Sequence, residues 1–320
     1  MLSQSEVICP EGLLKTARQA PAIRTAIANA GTPIVMESVR DAVVAGLLEP
    51  VFFGEPAGIA DCAAKLDWDI SEFLIVSAKG ETEAATAAAL AAGRGEVSAI
   101  MKGHVHTDVF MRALLDREAG LRTGRRLTHL FHMTVRDKPG ELFITDAALN
   151  VAPDLETKRE IIQNVVDMAH AVGIAVPKIA LLSATEVPTE TIPSSIEAAE
   201  LTDWAKDNIS GAHIFGPLAF DLAVSPTSAE IKGVVHSVAG RADALIVPEI
   251  VSGNALYKMM VHFMGACAAG IVLGAKVPIL LTSRADPPAA RLASAALAAI
   301  FQNREKRGNV RDATSGAIAL

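Results

Sequence analysis

The chain has 320 residues, 51% of them hydrophobic and 20% charged, with 29 Lys and Arg against 36 Asp and Glu and a formal charge of −7. This length and apolar content exclude a disordered chain and a small module held by disulfides or metal, and point to two domains or one large α/β domain. The acidic balance and the 4% aromatic content argue against a nucleic-acid surface built on basic patches and stacking platforms.

Short apolar runs alternate with longer amphipathic ones. Thr25–Ala28 reads as a strand, and Pro33–Leu48 as a helix with Val35, Val39, Val43 and Leu47 at helical spacing. Pro50 stands just past it, as proline often does after a helix end. Val51–Phe53 and Phe73–Val76 are strands, Glu81–Ala92 an alanine-rich helix ending at Gly93, and Ser98–Met101 a further strand. The second half repeats the alternation. Helices are expected over Leu155–Val172, Ile196–Lys206, Asn254–Ala268 and Ala289–Phe301. Strands are expected over Ile179–Leu182, Ala244–Val247, Ile271–Leu273 and Ile279–Leu281. This order predicts parallel or mostly parallel sheets with helices on both faces.

No window approaches the roughly 20 apolar residues of a membrane helix, and Met1–Pro10 lacks the basic cluster of a secretory signal. Cys9, Cys62 and Cys267 are odd in number and widely spaced, which fits a reducing cytoplasm and neither a disulfide frame nor a zinc knuckle.

Four segments interrupt the apolar pattern with polar residues that packing does not require. In the first, Lys102, Gly103, His104, His106, Thr107 and Asp108 follow a strand, with Arg112 a turn later. A strand end leading into a helix N-terminus suits an anion. His104-x-His106 with Asp108 also permits a metal reading, but no second histidine-rich motif supplies the third ligand that a catalytic site needs. The second, Arg117–Arg126, is a solvated loop or a basic rim. In the third, Ser252, Gly253 and Asn254 either cap a helix or offer donors to a phosphate or carbonyl oxygen, with Lys258 one turn on. In the fourth, a strand delivers Thr282, Ser283 and Arg284 to its carboxyl end, where ligands of open α/β sheets bind, and Asp286 leads into the last helix. A serine and an arginine there suit a phosphate, because arginine gives planar bidentate donors. The P-loop, G-x-G-x-x-G and G-x-S-x-G motifs are all missing from the sequence.

Four stretches in order, Lys102–Arg112, His213–Ser225, Lys232–Lys258 and Ala269–Asp286, resemble the phosphate acetyltransferase and phosphate butyryltransferase family. GPLAFD with LTSRAD is most similar to its butyryl-type branch, and to the acyltransferase part of proteins that join an enoyl-CoA hydratase to a phosphate acetyltransferase. The resemblance implies reversible transfer of a short acyl group between coenzyme A and phosphate. It implies a two-domain α/β fold like the isocitrate and isopropylmalate dehydrogenases, with an interdomain cleft. On that pattern residues 1–125 plus 277–320 form one domain and 126–276 the other. A cytoplasmic homodimer is expected, with no metal, no tightly bound cofactor, and coenzyme A as substrate. Nucleic acid and membrane are not expected partners.

By the same resemblance, Ser283 and Arg284 match the family's phosphate and acyl-phosphate site, Arg112 the arginine after its H-T motif, and His106 and Thr107 that motif itself. Ser252, Gly253 and Asn254 match its S/A-G-N turn. Lys102, Gly103 and Lys258 are further candidates for phosphate or substrate contact. The acetyl-type branch carries an aspartate seven residues after the serine as the proposed base for the thiol. That position is Ala290 here, which leaves Asp286 and His106 as candidates for the thiol proton. A second reading is a degenerate relative that binds coenzyme A or acyl phosphate as a sensor or scaffold. Paired aspartates for Mg²⁺, which a decarboxylating dehydrogenase of this fold needs, do not appear.

Overall fold

The structure is a computed structural model. It describes residues 2–138, 140–281 and 286–315, with side chains through 304. The chain divides into two compact units, one of residues 9–125 and 269–320, the other of residues 1–8 and 126–268.

The first unit opens with α1 (Glu11–Ala17), β1 (Ile23–Ala28), α2 (Pro33–Val44), β2 (Leu48–Gly54), α3 (Pro56–Lys65) and β3 (Ile75–Ser77). It continues through α4 (Gly80–Gly93), β4 (Ala99–Lys102) and α5 (Thr107–Leu115). The chain then forms β5 (Thr128–Thr134), β6 (Glu141–Thr145), α6 (Leu155–Ala171), β7 (Lys178–Leu182), α7 (Pro193–Asn208) and β8 (His213–Leu218). The second unit ends with α8 (Phe220–Val224), α9 (Pro226–Ile231), β9 (Ala244–Ile246) and α10 (Ile250–Met264). β10 (Cys267–Leu273), β11 (Ile279–Leu280) and α11 (Pro288–Ser315) complete the described chain.

In the first unit the strand order is β3-β2-β1-β4-β11-β10. All neighbours are parallel except β10 against β11. β1, β2 and β4 are buried along nearly their whole length, as strands covered on both faces must be. α4 buries Ala84, Ala85, Ala88, Ala89, Ala91 and Ala92 against β1, β2, β4 and α5. Side chains this small let the helix axis approach the sheet closely. α11 packs on α1, α2 and β1, and Asn303 donates to the Pro21 carbonyl at 3.1 Å. Residues distant in sequence thus share one core.

In the second unit the order is β5-β6-β9-β7-β8, parallel except for the β5–β6 pair. Its core gathers Phe131, Ile144, Ala180, Leu182, Leu218, Leu222 and Leu245. The expected parallel α/β architecture is present in both units. Among the described residues no helix is long and apolar enough to cross a membrane.

Two helices depart from expectation by a full turn. α2 ends at Val44 rather than Leu48, and Leu48 and Pro50 already belong to β2, so Pro50 is a strand residue and not a helix stop. α10 spans Ile250–Met264 rather than Asn254–Ala268. Gly265, in the left-handed region at φ 64°, closes it, and Cys267 already belongs to β10.

Candidate functional site

β4 lies between β1 and β11, and its register fixes what meets at the carboxyl edge of the first unit. Lys102 stands opposite Ala28 of β1, and Met101 opposite Leu280 of β11. The chain therefore leaves β11 beside the point where it leaves β4. Ser283 and Arg284, which follow β11 in sequence, lie outside the described residues, as does Thr282. Asp286, half-buried, precedes α11, and its carbonyl accepts from Arg291 at 2.5 Å.

The turn after β4 is built by close backbone approach. Gly103 donates to the Ala28 carbonyl at 2.9 Å, and His104 donates to that of Asn29 at 3.0 Å. A Cβ at Gly103 would sit 2.3 Å from the Ala28 oxygen and 2.6 Å from that of Asn29. Only glycine fits, so Gly103 is needed by the backbone packing itself. Val105, Phe110 and Leu114 are fully or almost fully buried and seat α5. His104, His106, Thr107, Asp108 and Arg112 remain exposed, while Lys102 is only 8% exposed. The segment runs from a strand end into a helix N-terminus, as expected, and its polar rim stands over a buried apolar anchor.

His106 is the N-cap residue of α5, but its side chain does not cap that helix. It turns to Glu81, in the first turn of α4. The Glu81 carboxylate accepts the His106 backbone N–H at 2.7 Å and meets ring Nδ1 at 2.9 and 3.0 Å. The backbone hydrogen bond, followed by the ring contact, holds the Glu81 carboxyl below the usual carboxylate range. No sequence feature singles out Glu81, which is 25 residues away from His106. Arg112 reaches Asp108 at 3.8 Å, both exposed, one turn apart on α5. Arg122 is not an open basic rim. Its Nε and Nη2 donate to the Leu115 carbonyl, at 2.8 and 2.5 Å, and pin the loop.

The second unit presents the other predicted cluster at the start of α10. The N-cap is Glu249, not Ser252 or Gly253. Its carboxylate accepts the N–H groups of Val251 at 2.7 Å and Ser252 at 2.8 Å. The Ser252 hydroxyl donates to the Glu249 carbonyl at 2.8 Å, as does the Gly253 N–H at 3.4 Å. These donors are committed within the helix, because α10 begins a turn earlier than the sequence suggests. Partial burial pushes the Glu249 carboxyl up, but the hydrogen bonds from Ser252 and Val251 outweigh it and set it below the ordinary range. Lys258 is exposed, its Nζ 5.9 Å from the Tyr257 ring centroid.

Gly253 and Asn254 pack on the backbone of Asp146 and Ala147, and Asp146 carries a buried carboxyl group that no sequence motif marks. Asp146, 2% exposed, accepts from the backbone N–H groups of His129, Ala148 and Leu149 at 3.1, 2.9 and 2.9 Å, and from Asn150 Nδ2 at 2.6 Å. Four donors compensate a charge that would otherwise be costly to bury. A Cβ at Gly253 would fall 2.5 Å from the Asp146 carbonyl oxygen, and Asn254 Nδ2 donates to the Ala147 carbonyl at 3.2 Å. His129 lies in β5, its ring 4.5 Å from that of Phe131, which stacks on Tyr257 at 4.0 Å. Burial pushes the His129 imidazole down to about 4, against the opposing pull of Asp146. Among the described residues, no group of three or more His, Cys, Asp or Glu side chains is arranged to hold a metal ion.

The family described as phosphate acetyl/butaryl transferase matches residues 78–299. The phosphate acetyltransferase of Rhizobium meliloti is 43% identical over 302 residues, covering 93% of this chain and 95% of that protein. The phosphate butyryltransferase of Clostridium acetobutylicum is 37% identical over 278 residues, covering 87% and 92%. Among solved structures, a branched-chain phosphotransacylase from Enterococcus faecalis V583 superposes with a TM-score of 0.77 at 30% identity, covering 88% of this chain and 99% of that one. A 4-hydroxythreonine-4-phosphate dehydrogenase from Burkholderia phymatum shares the fold alone, with a TM-score of 0.55 at 13% identity, covering 88% and 99%. The α/β fold is thus of the dehydrogenase-like kind that the resemblance implied. The match over most of the chain, with relatives named for both acyl groups, makes this chain a member of the phosphate acetyl/butyryl transferase family.

Proposed function

We propose that this protein catalyses the reversible transfer of a short acyl group, acetyl or butyryl, between coenzyme A and inorganic phosphate. The observation that carries the reading is the exit of β4 and β11 side by side in a member of this family. That register brings the segment Lys102–Thr107 to the strand end from which Ser283 and Arg284 follow in sequence.

An acyl phosphate is already activated, so the protein's task is to orient two anionic substrates and stabilise the oxyanion between them. Arg284 and Arg112 clamp the phosphoryl group, and Ser283 and Thr107 donate to its oxygens or to the carbonyl. Lys102, at the end of β4, adds positive charge beneath the Gly103 turn. In the second unit the donors of Ser252 and Gly253 are committed within α10, so of the family's Ser252–Asn254 turn Asn254 is the proposed substrate contact, with Lys258 as an exposed cation for an anionic portion of coenzyme A.

A thiol with pKa about 8.5 needs help to ionise near neutral pH. His106 takes the S–H proton at its outer ring nitrogen, with Asp286 as the second candidate for that proton. The thiolate sulfur bonds to the carbonyl carbon, the carbonyl electrons pass to oxygen, and their return breaks the bond to the phosphate oxygen. Phosphate leaves with that electron pair and receives the proton from the histidine.

Coenzyme A enters here as substrate, no tightly bound cofactor is required, and the protein works as a cytoplasmic homodimer. The test is formation of acyl phosphate with stoichiometric release of thiol from a series of acyl-CoA chain lengths. Thiol release independent of phosphate contradicts the reading.

A further inference from the structure

We propose that Glu81 is a positioning residue for the reaction, fixing the tautomer and direction of the His106 imidazole so that Nε2 is the nitrogen that accepts the thiol proton. The inference rests on the transferase reading above and adds a residue that no sequence motif marks.

The geometry is specific. Both oxygens of Glu81 lie within 3.0 Å of His106 Nδ1, and one of them also takes the His106 backbone N–H at 2.7 Å. A carboxylate only accepts hydrogen bonds, so Nδ1 must carry the proton. In the neutral ring this leaves Nε2 with its lone pair, directed away from Glu81. An imidazole oriented in this way by a carboxylate is a recurrent arrangement for general bases. Glu81 is the more sheltered partner, its side chain 30% exposed against 71% for His106. The anchor is thus held at the start of α4 while the ring it directs is open to solvent and substrate.

The remaining charged groups on these elements do not compete for Nδ1. Arg112 is paired with Asp108 on α5, and His104 acts on Glu81 only through its charge. Glu83 accepts the backbone N–H of Lys79 at 3.0 Å at the other side of the same helical turn. In the proposed step the S–H bond breaks, its proton moves to Nε2, and the imidazolium, bearing a proton on each nitrogen, is stabilised by Glu81. The proton then passes to the departing phosphate, and the ring returns to its starting tautomer.

Because Glu81 also holds the backbone at the start of α5, loss of activity alone would not separate positioning from folding. The experiment combines ring ¹⁵N NMR of His106 with a kinetic cycle on the full chain, using acetyl phosphate and coenzyme A. Glu81→Gln should shift the neutral ring from the Nδ1–H toward the Nε2–H form and lower kcat by at least about tenfold, with KM for acetyl phosphate unchanged. In a His106→Ala background, Glu81→Gln should change kcat less than about twofold, since there is no ring left to orient. If Glu81→Gln does not fold, Glu81→Asp, which keeps the charge and loses the reach, should give the same tautomer shift and a similar loss.

A proton found on Nε2 in the neutral ring of the unsubstituted chain overturns the proposal. So does an unchanged kcat in Glu81→Gln, or an equal loss with and without His106. If the unsubstituted chain turns nothing over, it is the transferase reading that fails. The tautomer then still decides whether Glu81 orients the ring.

Discussion

Gly103 separates packing from chemistry at the level of one residue. A methyl group there meets two backbone oxygens, neither of which is the end of a flexible side chain. Gly103→Ala should therefore cost about 1–3 kcal/mol of stability by overpacking, read as a lowered midpoint in chemical denaturation. Arg284→Ala should behave in the opposite way. It removes a proposed oxyanion and phosphate donor, so kcat should fall at least about 100-fold while the denaturation midpoint stays within error. Near-normal turnover in that variant would remove Arg284 from the site. The residues legible in the sequence were those in runs of polar side chains at strand ends, such as Lys102, His106, Thr107 and Arg112. Glu81 and Asp146 were not legible, because the contacts that tie them to His106 and His129 span 25 and 17 positions and are made only by folding. Ser283 and Arg284 remain assigned from family pattern, since they lie outside the described residues.

Helix α10 shows what an element adds. Glu249 takes two of the N–H groups that a helix start leaves open. Glu249→Ala should cost about 1 kcal/mol, the usual size of a lost cap, and should loosen the Ser252–Asn254 segment in hydrogen exchange. The pH dependence follows from the depressed carboxyl. The stabilisation is present above the unfolded value near 4.5 and is lost as pH falls through the lower folded value. The acid limb of a stability profile should thus be shallower in the Glu249→Ala protein.

Periodicity located α4, α6 and α7 closely, because each buries one face or a run of small residues, but it ran α2 on into β2 and stopped α11 at Phe301, short of Ser315. It placed α10 a turn late, since glutamate is not a usual cap and Asn254 looked like a starting point. The strand β8 went unread because Gly216 and Pro217 look like breakers. Gly216 is there because a Cβ would lie 2.5 Å from the Leu181 oxygen of the paired strand.

The stability of the whole molecule should carry the signature of a buried histidine. His129 is 3% exposed and its imidazole is displaced from 6.5 to about 4 by burial. Below 6.5 the unfolded chain binds a proton that the folded chain refuses, so unfolding free energy should fall as pH drops from 6.5 toward 4. Denaturant titrations at pH 7 and pH 5 should show this loss, and His129→Phe should reduce the difference between them. An equal difference in both proteins would assign the acid sensitivity elsewhere. The net charge of −7 argued at the outset against anionic polymers as partners. The proposed substrates are nevertheless anions, so we propose that their capture draws on Lys102, Arg112 and Arg284 acting against the sign of the total.

Whether phosphate is the acyl acceptor is decided by following free thiol from acetyl-CoA and butyryl-CoA with and without inorganic phosphate. Thiol should be released only when phosphate is present, with one acyl phosphate formed per thiol. Release at the same rate without phosphate, or no release from either acyl-CoA, would contradict phosphate as the acceptor.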